Sequence, residues 1–296
     1  MRLRPLALAL SLLVATAPAL VHAAPASDAA ATAAAVSPAD AAADALFAEY
    51  WEASLKLSPL RATFVGDARY NDQLPDLFSA ESRAEASAFN KAWLARVEAL
   101  DPDALSPQRR LSAEILLRDL KLEIEGERFP GWQQPLDQFR NVAALFAQLG
   151  SGTNAQPFKT VQDYDNWLKR AARLPVLFTT MQGNMREGMA SGVVQPRVLM
   201  QKVIPQLDAL IKDKPEDTLF WRPIANLPAD LPAAEKERLT AAYRALIADA
   251  LMTASRALRR LVVDEYLTKT RETVAISALP DGEAWYAYLA KVQTTT

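Results

Sequence analysis

Peptide or ester hydrolysis needs an activated nucleophile, and the side chains that activate one are scarce in this chain of 296 residues. There is no cysteine, and the only histidine is His22. His22 sits at the end of a stretch that reads as a secretory signal peptide. Arg2 and Arg4 form its positive start, Leu6 to Leu13 its apolar core, and Val21-His22-Ala23 its cleavage region. Cleavage after Ala23 removes the histidine. The remainder carries 31 basic against 35 acidic residues, a net charge of −4. A Ser-His-Asp triad and a cysteine nucleophile are then excluded by residue type. No Ser-x-x-Lys or Gly-x-Ser-x-Gly pattern occurs. Zinc sites are built from His and Cys. An all-carboxylate site suits calcium or magnesium, but no Asp-x-Asp-x-Asp loop is present.

Four features remain, each with a plainer reading beside it. Gly183 and Gly188 have the spacing of a phosphate loop, but Met189-Ala190 stand where Lys and Ser or Thr are required. A helix end with Gly188 in the left-handed conformation is expected instead. The acidic stretch from Gly66 to Asp72, with Asp76 beyond it, has the composition of a cation loop. It also has that of a turn whose Asp and Asn side chains bond their own backbone. Arg256, Arg259 and Arg260 are placed to grip an anion or to pair with nearby acids. Trp285, Tyr286 and Tyr288 are expected in core packing, because aromatics bring large buried area. No residue is assigned a catalytic, cofactor-binding or metal-binding role.

The elements that must hold these residues are helical. Ala233 to Leu279 runs without Gly or Pro between Pro232 and Pro280. Leu239, Tyr243, Leu246, Ala250, Ala254, Leu258 and Leu261 recur at helical spacing. The pattern predicts a rod over about 233–268, near 50 Å long. Ile247, Leu251, Val262, Val263 and Leu267 widen its apolar face, so cover on two sides and an exposed apolar patch are expected. Ahead of the rod, Ser37-Pro38 starts a helix with Leu46, Tyr50, Trp51, Ser54 and Leu55 inward. Helices follow from Ser79 or Ser82 to near Leu100 and from Ser106-Pro107, antiparallel, the latter with Leu111, Ile115, Leu116, Leu120 and Ile124 inward. A shorter helix is expected over 136–149. Another runs from Thr160 to Arg186, bent at Pro175, with Leu168, Ala172, Leu174, Leu177, Met181 and Met185 buried. One more starts at Pro196. Asp281 is expected to cap a last helix, 282–293. The fold class is all-α, an irregular multi-helix array around the rod.

Three segments follow: a signal peptide at 1–23, a disordered Ala/Ser/Pro tether at 24–36, and one helical domain at 37–296. The near-balanced charge argues against nucleic acid as a partner, and no membrane contact is expected once the signal is removed. The localisation expected is periplasmic or secreted.

Three stretches carry a family resemblance. They are Leu57 to Asp76 (LSPLRATFVGDARYNDQLPD), Met185 to Pro196 (MREGMASGVVQP) and Leu279 to Leu289 (LPDGEAWYAYL). Together they resemble the bacterial domain-of-unknown-function 885 family of exported proteins. The resemblance implies an all-helical fold like that of zinc peptidases. In such relatives a His-Glu pair followed by Pro-Gly-His-His holds zinc in the C-terminal half, where the metal activates water. Neither His-Glu nor Pro-Gly-His-His occurs here, so no cofactor is expected in this chain, and zinc only in full-length relatives. Two readings follow. The chain is the N-terminal part of a larger fold, with a C-terminal half or a second copy as partner and peptide substrates by family analogy. Alternatively, it is a complete, non-catalytic binding or scaffold module.

Overall fold

The protein is described by a computed structural model over residues 36–294. The 1–23 signal and all of the 24–36 tether except Val36 lie outside the described residues. Helix starts follow proline and hydroxyl caps. Pro38 opens α1 (Pro38–Leu57), and Pro59 opens α2 (Pro59–Phe64). The Ser79 side chain accepts from the Ser82 N–H at 3.0 Å and starts α3 (Ala80–Glu98). Pro107 opens α4 (Pro107–Gly126). Helices α3 and α4 are antiparallel, and Ser87 near the start of one donates to Glu127 just past the end of the other at 2.9 Å. Leu111 and Ile115 do not face inward. They are 50% and 52% exposed; Leu120 is buried as expected, and Ala113 and Leu122 are buried with it. Small Ala113 is the side on which the neighbouring helices approach, which turns Leu111 and Ile115 away. Trp51 is also mostly surface, with the Arg61 guanidinium 5.2 Å from its ring.

Helix α5 (Val142–Leu149) starts six residues later than the pattern suggests. Asp137 accepts from the Phe139 and Arg140 N–H groups, both at 2.8 Å, and holds that stretch as a turn until Asn141 caps the helix. The expected bent helix over 160–186 is two helices, α6 (Val161–Ala171) and α7 (Leu174–Ser191). Pro175 lies in the first turn of α7, where its missing N–H costs nothing. Ala172, at the break, is exposed. Helix α7 ends at Gly192, whose φ of 81° is left-handed. Gly188 is not that cap. It lies inside α7, where a Cβ would meet the Val193 carbonyl at 2.6 Å and the Gln133 carbonyl at 2.9 Å. Its role is close backbone approach. Helices α8 (Arg197–Asp208) and α9 (Arg222–Ala225) follow.

The rod runs from Ala233 to Thr268. It is built from α10 (Ala233–Ala245), a π turn at Leu246–Leu251, α11 (Met252–Arg260), a second π turn at Leu261–Glu265 and a 3-10 turn at Tyr266–Thr268. The π turns explain the wide apolar face. Leu239, Tyr243, Ile247, Leu251, Leu258, Val262 and Tyr266 are all buried, mostly at intervals of four. At about 3.6 residues per turn, Tyr266 would stand some seven and a half turns from Leu239, on the opposite side. One extra residue in each π turn brings the separation to about seven turns, and both face the core. No large side chain of the rod is among the exposed apolar residues, so the patch expected there is absent.

Helix α12 (Gly282–Gln293) closes the described chain. Asp281 precedes it with φ 53° and makes no side-chain cap; it faces Arg128 at 3.4 Å instead. Among the described residues the one strand-like feature is a single bridge between Pro196 and Arg271. The fold is therefore all-α. Three clusters form the interior. The largest joins α5 to α8 with the rod, the second joins α1, α3 and α4, and a small one packs Phe129, Val193, Leu279 and Trp285.

Candidate functional site

The acidic stretch folds as turn chemistry. Asp67 accepts from the Arg69 N–H at 3.0 Å and pairs with its guanidinium, which also reaches Glu52 at 2.8 Å. The Arg69 hydrogen bonds hold the Asp67 carboxyl below the usual range. Asn71 is bonded to Thr63 at 2.7 Å, and Asp76 accepts from Thr180 at 2.5 Å. Behind this loop stands a residue the sequence pattern did not single out. Arg170 is fully buried, with no carboxylate among its hydrogen-bond partners. It donates to the Tyr70 and Gln73 carbonyls at 2.6 and 3.0 Å and to Thr63 and Gln156, both at 2.8 Å. Burial lowers its pKa to about 10 against the opposing charge of Asp72, so it stays cationic at neutral pH. It pins the 59–76 segment to α6.

The three arginines of the rod are not brought together on a ligand site. Arg259 pairs with Asp208, and Arg256 donates to the Lys212 carbonyl at 3.4 Å. Trp285 stacks on Phe129 at 5.7 Å, and Tyr288 donates to the Leu122 carbonyl at 3.0 Å. Tyr286 is 62% exposed and outside that packing. Gly183 and Gly188 both lie within α7, so they form no phosphate loop.

The structure brings other residues together. Three depressions adjoin along one face, of about 520, 480 and 470 Å³. The first two share Asn90, Glu123 and Tyr288; the second and third share Gly131 and Trp132. The groove starts between α1 and α4 at Tyr50, Arg61 and Ile115, passes α12, and ends on the 131–145 segment. Burial raises the Tyr50 and Tyr288 hydroxyl pKa values, with Glu123 adding to both. The Arg83 guanidinium stacks 4.2 Å from the Trp132 ring and donates to the Phe78 carbonyl at 2.7 Å. The 3-10 turn Gly131–Gln133 is fixed from two sides. Ser191 donates to Gln133 Oε1 at 2.7 Å, and Gly188 lets the Gln133 carbonyl come close.

A polar trio includes two residues of the groove lining, Ser87 and Glu127. Ser87 Oγ accepts from Lys91 Nζ at 2.7 Å and donates to Glu127 at 2.9 Å, and Lys91 pairs with Glu127 at 3.2 Å. A serine four residues before a lysine escapes a Ser-x-x-Lys search. An exposed ammonium held by a carboxylate is, however, no general base, and the trio serves as a clasp between α3 and α4. For zinc the donors do not fit. Among the described residues no three His, Cys, Asp or Glu side chains gather to hold a metal. Trp132, Gln134 and Phe139 were missed because they lie in a non-periodic stretch, GWQQPLDQFRN, whose one signal is aromatic and amide side chains where no helix is indicated.

Comparison with known proteins places the chain. The model of a family described as "Bacterial protein of unknown function (DUF885)" matches residues 59–296. No curated protein matches the chain. Among solved structures it is similar to a protein described as a "putative lipoprotein" from Colwellia psychrerythraea, at 15% identity and TM-score 0.73. The similarity covers 86% of this chain and 46% of that one. At that identity the shared property is the fold. Among the described residues no helix is long and apolar enough to cross a membrane.

Proposed function

The chain belongs to the DUF885 family, and we propose that it is the helical scaffold part of an exported, zinc-peptidase-like protein whose metal-holding residues lie in a further segment. The coverage carries this reading: 86% of the chain matches 46% of its structural neighbour's length, without a set of metal donors among the described residues. Export is supported by the signal-like 1–23 segment and by the description of that neighbour as a "putative lipoprotein". Peptides enter as the substrate class through the family resemblance alone, and no catalytic step is assigned to residues of this chain. A second reading, a non-catalytic binding or scaffold module, draws on the rod, whose large apolar side chains are already covered.

Elemental analysis and a peptide-library digest separate the two. The chain alone is expected to retain no stoichiometric zinc and to cleave nothing. Joined to a C-terminal half carrying His-Glu and Pro-Gly-His-His, it is expected to gain both properties. A joined protein without zinc sinks the scaffold reading in favour of the module. Zinc and cleavage from the chain alone overturn both.

A further inference from the structure

The first two depressions of the groove meet at Asn90 on α3, Glu123 on α4 and Tyr288 on α12, which line both. The end of α4 carries four acids, Asp119, Glu123, Glu125 and Glu127. Three of them have basic partners: Asp119 has Arg118 at 3.4 Å, Glu125 has Lys291 at 2.6 Å and Glu127 has Lys91 at 3.2 Å. Among the described residues Glu123 has neither an ion pair nor a hydrogen bond, although it is the acid at the junction. Asn90 is half-buried and its carboxamide is likewise unbonded. Tyr288 is fixed in place. Its ring lies over Gly126, where any Cβ would collide with the phenol oxygen, and its hydroxyl donates to the Leu122 carbonyl at 3.0 Å. With that proton committed, the oxygen can only accept, as a carboxylate does. The basic side chains lining the two depressions are engaged elsewhere. Arg118 donates to the Lys291 and Thr294 carbonyls, both at 3.2 Å, Arg61 stacks on Trp51, and Arg83 is held by Trp132 and the Phe78 carbonyl.

We propose that this junction binds a primary ammonium group carried on an apolar substituent, with Glu123 as its counter-ion and the Tyr288 oxygen and Asn90 carboxamide as further acceptors. An ammonium brings three donors and no acceptor, which complements this set. Tyr50 lines one depression and Phe129 the other. Their rings suit both a cation, attracted to an aromatic face, and the apolar part beside it. Behind burial, the Glu123 charge helps to raise both the Tyr50 and the Tyr288 hydroxyl pKa values, which places it near both rings. Volumes of about 520 and 480 Å³ lie within the range of sites for small ligands. An anion is disfavoured, because each base there already has a ring or carbonyl partner while the acid has none. Two sources share the required chemistry, a free amine and the amino terminus of a peptide. The site needs neither a metal nor a further segment of chain.

The test is calorimetric titration of the full chain with phenethylammonium chloride and, separately, with Phe-Leu-amide. Saturable binding is expected, with phenylpropionate and acetyl-Phe-Leu-amide silent because they lack the ammonium. Binding of phenethylammonium alone supports the site with a free amine as its ligand. Binding of Phe-Leu-amide alone supports it with a peptide terminus, and binding of both supports a site open to either. Glu123→Gln, at an exposed position, should weaken binding by about tenfold, the scale of a lost charge-assisted hydrogen bond. Its helical circular dichroism should be unchanged. Glu114→Gln removes the same charge from the same helix, outside both depressions, and should leave the affinity as it was. Absence of saturable binding by either amine, or equal affinity in Glu123→Gln, overturns the proposal. So does an equal loss in Glu123→Gln and Glu114→Gln, since the attraction is then one of net charge and not of this junction. Failure here leaves the zinc experiment untouched, because amine binding is read on the chain alone without metal.

Discussion

The rod and the α1–α3–α4 group are both helical, yet they bury their side chains differently. Along the rod every large apolar residue finds cover, and its neighbours α6, α7 and α8 contribute Trp167, Met181 and Val203 at 1% exposure or less. In the α1–α3–α4 group the buried set is small, Ala43, Leu46, Trp93, Val97, Leu105, Ala113 and Leu120, while Leu111 and Ile115 stay outside. A rod enclosed on several sides has its face fixed by all of them, to the point that two π turns are retained to keep register. A helix packed on one side leaves apolar residues over, and here one of them, Ile115, borders the groove.

Removing a residue breaks or sharpens this contrast most. Deleting Arg256, inside α11, turns Leu258 to Tyr266 by about 100° relative to Leu239 to Ser255. Loss of cooperative thermal unfolding is expected. Deleting Asp249, inside the first π turn, converts that turn to regular helix and keeps later residues on the core face. That variant should still melt cooperatively. Equal damage from the two would refute the register account. Next in size is Leu258→Ala, where a fully buried side chain leaves a cavity; denaturant unfolding should show a loss of about 2–5 kcal/mol. Leu120→Ala, in the smaller cluster, is expected at the low end of that range.

Alkaline pH probes the rod more gently. Burial pushes the Tyr266 hydroxyl up to about 12, with the Gln195 N–H partly opposing. The group releases its proton more easily when unfolded. Its contribution is therefore whole below about pH 10 and is lost as pH rises from 10 towards 12, by about 2 kcal/mol. Tyr266→Phe should flatten the decline in stability over that window, and an unchanged slope would exclude Tyr266 as its source. The smallest effect belongs to the other region. Ile115→Ser, at 52% exposure, should change stability by no more than about 0.5 kcal/mol.

The sequence made the rod, the helix start at Ser79 and the final helix legible, because periodicity and cap chemistry are local signals. It could not place the break after Ala171, since one proline fits a bend as well as a first turn. Wheel counting at a single period hid the π turns and made a seam look like a belt. The groove was not legible at all: Asn90, Glu123, Trp132 and Tyr288 belong to four separate segments, and only packing brings them to one face. Arg170 likewise gave no signal, because its partners are mainly backbone carbonyls far away in sequence.

The rod's place late in the chain also sets an order of assembly. Helices α3 and α4 are sequence neighbours and can pair once Gly126 has been synthesised. The larger core cannot close then. Segments 142–208 need Leu239, Leu258 and Tyr266, which arrive 97, 116 and 124 residues after α5 begins at Val142. Contacts of that separation form slowly, and their apolar surfaces stay uncovered meanwhile. A nascent chain stopped before residue 233 would thus hold a folded hairpin at one end and an unclosed core at the other, a natural target for holding chaperones.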